Sequence, residues 1–142
     1  MHTFAHTCFI PAAPAAVFAA FATPERLARW WGPAGFRNTF ALCDFRSGGA
    51  WRFTMHGPDG QDYPNESQFL DVVPNALVVI RHVNAPHFVL TVELRAEGAG
   101  TRVQWTQVFD DPAVAQAVRS IVEPANEQNL QRLSAEVARA VA

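Results

Sequence analysis

Residues 87–109, HFVLTVELRAEGAGTRVQWTQVF, decide the fold. Apolar and polar side chains alternate on both sides of Gly98-Ala99-Gly100, so the stretch predicts two antiparallel strands joined by a short turn. Phe88, Leu90, Val92 and Leu94 share one face, with His87, Thr91, Glu93 and Arg95 on the other. On the return strand Val103, Trp105 and Phe109 face inward and carry Gln107 with them. Upstream, residues 77–83, 65–73, 50–56 and 36–45 have the same strand composition. They are punctuated by Asn84-Ala85-Pro86, Pro74-Asn75, Gly57-Pro58-Asp59-Gly60 and Ser47-Gly48-Gly49. Connections this short make neighbouring strands antiparallel and exclude a βαβ array.

The two ends of the chain close this run. Thr3–Ile10 has strand composition and stops at Pro11, and Pro14–Ala22 predicts a short helix with Val17, Phe18 and Phe21 on one side. Thr23-Pro24-Glu25 restarts a helix: Thr23 as the cap, Pro24 at the first position, Glu25 at the positive end of the dipole. Gly32-Pro33 ends it just after Trp30-Trp31. Downstream, Asp111-Pro112 opens a long helix with Val114, Val118, Ile121, Leu130, Leu133 and Val137 at helical spacing. Pro124 falls inside it and predicts a kink or a break.

The order is strand, two short helices, six strands and a long helix, in 142 residues that suit a single domain spanning 1–142. The fold class is α+β: a curved antiparallel sheet around the C-terminal helix. One helix does not fill a wide concave face, so a gap between sheet and helix is expected.

Composition narrows the functions. Eleven basic and thirteen acidic residues give a net charge of −2, and no basic stripe marks a nucleic-acid partner. Only 17% of residues are charged, against about a quarter in an ordinary domain, which excludes disorder. Eleven Phe, four Trp and one Tyr are many for so small a core. Cys8 and Cys43 fit no ligand or redox spacing and are expected as free thiols. Apolar runs such as Leu77 to Ile80 are too short to span a bilayer, and residues 1–10 lack a signal-peptide pattern, so a cytoplasmic setting is expected. Metal-ligand spacings, phosphate-binding glycine loops and the nucleophile elbow are absent from the sequence, so no metal or cofactor is expected.

Alternation also sorts the candidate site residues. Trp51, Phe53 and Met55 face inward together, as do Val78, Ile80 and His82. In 65–73, placing Leu70 and Val72 inward brings Gln68 and Glu66 with them. That register sets Glu66 beside His82, with Phe53 on one side and Phe88 and Phe109 on the other. A carboxylate next to an imidazole in an apolar wall suits general acid or base chemistry. The alternative is a Glu66 in water at the sheet margin and a His82 bonded within the core. Trp30 and Trp31, about 100° apart around a helix end, cannot share one slot, and one of them is a candidate roof for the gap.

The run from Trp30-Trp31-Gly32-Pro33 through Asp44-Phe45-Arg46-Ser47-Gly48-Gly49-Ala50-Trp51-Arg52-Phe53 to Met55-His56-Gly57-Pro58-Asp59-Gly60 resembles the family of bacterial homologues of the heat-shock-protein-90 ATPase activator. Tyr63-Pro64-Asn65-Glu66, Gly100-Thr101-Arg102 and the segment Glu127-Gln128-Asn129-Leu130-Gln131-Arg132-Leu133 extend the resemblance over nearly the whole chain. It implies the START-like helix-grip (SRPBCC) architecture, β-α-α-β(6)-α around a deep apolar cavity. Members of that superfamily bind lipids, sterols, polyketides or plant hormones, and a few are cyclases or oxygenase subunits. The family shares no catalytic residue set.

Three functions follow as expectations. The first is binding of a small apolar or amphipathic molecule by Trp31, Trp51, Phe53, Met55, Phe88, Trp105 and Phe109, oriented by Glu66, His82 or Gln107. The second is a cyclase or dehydratase using His82 and Glu66. The third is association with a chaperone through the surface.

Overall fold

The computed structural model describes residues 2–141. Seven strands, β1 (Thr3–Ile10), β2 (Arg37–Cys43), β3 (Ala50–His56), β4 (Asp62–Val73), β5 (Leu77–His82), β6 (Phe88–Glu97) and β7 (Gly100–Phe109), form one sheet in the order β1-β7-β6-β5-β4-β3-β2. Every pairing is antiparallel, as short connections require. Helices α1 (Pro14–Ala22) and α2 (Pro24–Trp30) follow β1, and α3 (Pro112–Val141) closes the chain.

Local chemistry accounts for most of the helix ends. Asp111 Oδ1 accepts from the Ala113 amide at 2.9 Å, capping α3. Gly32, at φ +93°, takes the left-handed position that stops α2, and a Cβ there would sit 2.6 Å from Met55 Cε. Thr23 precedes α2 in extended conformation but makes no side-chain cap. Pro24 has already removed one orphan donor at that end.

Of the two outcomes expected at Pro124, the break does not occur: α3 runs as one helix from Pro112 to Val141. Pro124 and Ser120 both lie on the exposed side of the helix. The Ser120 carbonyl that loses its partner there is open to water, so the helix continues.

α3 is held at its two ends. Near its start, Ala115 packs in a cluster with Phe4 and Phe109, bordered by Val114, Val118 and Val122. Near its finish, Leu130, Leu133 and Val137 enter the main core with Val17, Phe21, Leu27 and Trp30, each burial contributing roughly 1.5–3 kcal/mol. Ile121, expected in the same stripe, is 70% exposed.

Polar contacts fasten the second half of α3 to α2 and the loop that follows. Arg132 donates from Nη1 to the carbonyls of Trp31, Gly32 and Pro33 and from Nη2 to those of Arg29 and Phe36, all within 2.8–3.0 Å. Asn129 accepts from the Gly32 amide and donates to the Trp30 carbonyl, and Gln128 accepts from the Ala34 amide. The Trp-Trp-Gly-Pro and Glu-Gln-Asn-Leu-Gln-Arg-Leu motifs, about a hundred residues apart in sequence, are thus two halves of one clamp.

Below it, Glu136 is 4% exposed and meets Arg26 at 2.9 Å, Arg29 at 3.1 Å and Arg139 at 2.7 Å. Burial by itself raises the Glu136 pKa, but the three guanidiniums outweigh it and hold the carboxyl down to about 2. Protonating Glu136 therefore favours the unfolded chain. Its contribution, on the order of 2–3 kcal/mol, is complete above pH ~4.5 and is lost as pH falls toward ~2. Urea unfolding at a series of pH values is expected to show this loss, and Glu136→Gln is expected to flatten it; an unchanged acid limb in the variant would refute the assignment.

Candidate functional site

Between its two anchors, α3 crosses the concave face of the sheet without filling it. A cavity of about 670 Å³ lies there, walled by Phe53 and Met55 of β3, Asn65 and Ser67 of β4, Ile80 and His82 of β5, Phe88 and Leu90 of β6, and Trp105 and Gln107 of β7. Trp31, Gly32, Pro33 and Phe36 close one end, and Ile121, Val122, Ala125, Asn126 and Asn129 of α3 form the lid. The reason is in the helix sequence: where an apolar stripe would fill the gap, α3 presents small Ala125 and polar Asn126 and Asn129. Exposed Tyr63 and Ile121 lie at the rim.

The structure brings together Trp31, Phe53, Met55, His82, Phe88, Trp105 and Gln107, all proposed from alternation or the helix-end argument. Trp30 fills the core, its indole donating to the Ala20 carbonyl at 2.9 Å. Trp31, only 9% exposed, is a wall residue tilted against Trp105 at 5.8 Å.

Three expected site residues lie elsewhere. Trp51 is fully buried behind the wall, stacked between Phe53 at 4.2 Å and Phe69 at 5.3 Å. Phe109 is spent in the cluster that anchors the start of α3, edge-on to Phe4 at 5.7 Å.

Glu66 is exposed on the opposite face. The cause is a β-bulge in β4 between Phe69 and Asp71. Val72 packs against the core as expected, but the extra residue puts Leu70 outside at 45% exposure and turns Phe69, Ser67 and Asn65 inward. Glu66 is paired in register with Arg52 on the outer face, and it is Ser67 that stands opposite His82.

Asn65 takes the place expected of Glu66. His82 Nδ1 donates to the Pro86 carbonyl at 2.7 Å, Nε2 lies 2.7 Å from the Asn65 side-chain amide, and the ring stacks on Phe88 at 4.6 Å. Asn65 is oriented by donating to the Tyr63 carbonyl at 2.8 Å. Burial pushes the His82 pKa below its usual value, with the Pro86 carbonyl opposing. Both ring nitrogens have protein partners and neither partner is a carboxylate, so the acid-base pair required for the cyclase reading is not assembled.

Sequence reasoning missed Asn65 and Ser67, which needed the bulge, and Asn126, whose amide donates to Gln107 Oε1 at 2.9 Å. The signal for Asn126 was there: it falls between Val122 and Leu130 on the inward side of α3.

Among the described residues no group of three His, Cys, Asp or Glu is placed to hold a metal, and no helix is long and apolar enough to cross a membrane. Cys8 and Cys43 are free, half-buried thiols; burial raises both, Cys43 to about 11.

A curved antiparallel sheet gripping a C-terminal helix over an apolar cavity defines a helix-grip domain. The chain belongs to the family described as Activator of Hsp90 ATPase homolog 1-like protein, whose model matches residues 11–138. A crystal structure of a protein from Nitrosomonas europaea superposes with a TM-score of 0.88 at 17% identity, covering 98% of this chain and 96% of that one. A solution structure from Arthrobacter aurescens gives 0.88 at 22% identity, covering 96% and 86%. An AHSA1-like protein from Aeromonas hydrophila gives 0.76 at 22%, covering 98% and 94%. At these identities the likeness is one of fold. No curated protein matches the chain.

Proposed function

We propose that this domain binds a small, largely apolar molecule in the space between the sheet and the middle of α3. The observation that carries the reading is the cavity of about 670 Å³ lined by Trp31, Phe53, Met55, Ile80, Phe88, Leu90 and Trp105. Ligand pockets typically span about 300–1,000 Å³ and are mostly apolar with a few placed polar groups, here His82, Gln107, Asn126 and Ser67. A void of this size in a small domain costs stability unless something fills it.

The family description names a chaperone activator, but the exposed large apolar side chains Phe9, Leu42, Tyr63, Leu70, Val73, Val83 and Ile121 are spread over β1, β2, β4, the loop after β5 and α3. Cavity binding is the reading with a specific observation behind it.

A thermal-shift screen of lipids, sterols and aromatic polyketides tests it. A ligand at about a hundred times its Kd stabilises by ~2.7 kcal/mol, which a melting curve resolves. At least one class is expected to raise Tm and to change the emission of Trp31 and Trp105, and Ala125→Trp, which pushes an indole into the cavity, is expected to abolish both responses. No shift by any class, with Tm unchanged by Ala125→Trp, would sink the proposal.

A further inference from the structure

The charges and amide groups around the cavity point to the chemistry of its occupant. All eleven cations of the chain are arginines, and none lines the cavity. Seven are paired with carboxylates: Arg26, Arg29 and Arg139 on Glu136, and Arg46, Arg81, Arg102 and Arg119 in pairs of their own. Arg132 spends its terminal nitrogens on backbone carbonyls, while Arg37, Arg52 and Arg95 are exposed. The acidic side chain that does border the cavity is Asp62, at 64% exposure and 2.7 Å from His56. An anionic head group entering this space would give up its hydration, meet no cation and pass a carboxylate.

The amide groups say what replaces a cation. Gln107 Oε1 accepts from Asn126 Nδ2 at 2.9 Å, which fixes both amides against each other. Among the described residues, Gln107 Nε2 and Asn126 Oδ1 have no protein partner, yet neither is sealed from accessible space. A donor on β7 and an acceptor on α3, on two amides joined by one hydrogen bond, are therefore left open among largely apolar side chains. Leaving such a pair unmatched on binding is costly, so the ligand that fits supplies an acceptor and a donor together.

We infer that the cavity selects uncharged, mainly apolar molecules carrying an adjacent acceptor and donor, such as a primary carboxamide or lactam on an aromatic body, anchored by Gln107 and Asn126, and discriminates against the corresponding carboxylates. The inference rests on the reading of the cavity as a ligand site. Burial disfavours the charged form of His82, the imidazole in the wall.

Anthracene-2-carboxamide and anthracene-2-carboxylate, nearly equal in shape, separate the two claims when titrated at pH 7.5 by calorimetry and by quenching of Trp31 and Trp105. The amide is expected to bind at least tenfold more tightly than the carboxylate. Gln107→Met, close in volume, and separately Asn126→Leu are expected to weaken the amide about tenfold and so to narrow its advantage over the carboxylate. Equal or tighter binding of the carboxylate overturns the inference and leaves the cavity reading standing, and so does an amide affinity untouched by both variants. Binding of neither compound, with no shift in Tm from either, overturns the inference, and the screen of lipids, sterols and polyketides then decides the cavity reading. The wild-type comparison stands even where one variant fails to fold.

Discussion

Gly49→Ala is expected to leave little folded protein, whereas Gly48→Ala, one residue earlier, is expected to cost only about 1–2 kcal/mol. The neighbours are glycines for different reasons. Gly48 has φ +86° and open space where a Cβ would stand, so alanine there meets only the ordinary strain of the left-handed region. A Cβ on Gly49 would lie 1.8 Å from the Asp44 carbonyl oxygen and 3.1 Å from that of Arg46. Both obstacles are backbone, and the turn cannot step aside. Gly49 donates to Arg46 O and accepts from the Phe69 amide, while Gly48 donates to Phe69 O at 2.7 Å. Relieving the clash breaks these bonds, at a cost on the order of 3 kcal/mol or more. Urea unfolding of the two variants beside the parent measures the difference; equal destabilisation, or a near-native Gly49→Ala, would show that the turn relaxes as the close approach says it cannot.

This turn also sets the site. Ser47 Oγ accepts from the Val72 amide at 2.8 Å, and with the Gly48–Phe69 and Gly49–Phe69 bonds it grips β4 on both sides of its bulge. The bulge decides that Asn65 and Ser67, not Glu66, look into the cavity. Partially folded Gly49→Ala protein is therefore expected to lose ligand-induced quenching along with stability.

Arg132→Ala is expected to lower stability by about 3–5 kcal/mol, a fall in Tm on the order of 10 °C or more. The guanidinium sits among five carbonyls with no carboxylate near it, and burial pulls its pKa down, as expected for a cation stripped of water. Its removal takes a donor from the carbonyls of Arg29, Trp31, Gly32, Pro33 and Phe36 at once and loosens the loop that closes one end of the cavity. Arg132→Lys is expected to recover only part of the loss, because an ammonium has three donors and no planar fork. Calorimetric melting of the three proteins separates a charge effect, which lysine restores, from the geometric effect argued for here. Full rescue by lysine would refute the carbonyl clamp.

Much of this was legible before folding because it is local. Strand alternation depends on a period of two and placed Phe53, Met55, His82, Phe88, Trp105 and Gln107 on the cavity face. The helix starts and stops at Pro14, Pro24, Gly32 and Asp111 rest on ring closure, φ and capping, which operate within a few residues. Low charge and abundant aromatics foretold an apolar interior larger than a core needs.

What the chain could not declare by itself depends on partners far away in sequence. Alternation read through β4 fails at the bulge, because one inserted residue reverses every face beyond it and the bulge is held by Ser47 to Gly49, in the turn before β3. Trp51 and Phe109 face inward as alternation requires, but whether an inward side chain meets a void or another ring is set by where α3 docks. That docking is fixed by clusters at the two ends of the helix and by Arg132 reaching back about a hundred residues. Sequence by itself determined the elements, their order and the inward set of the strands other than β4. Only the tertiary structure decided which inward residues are wall and which are core, since a cavity is the space left between surfaces that come together after each has formed.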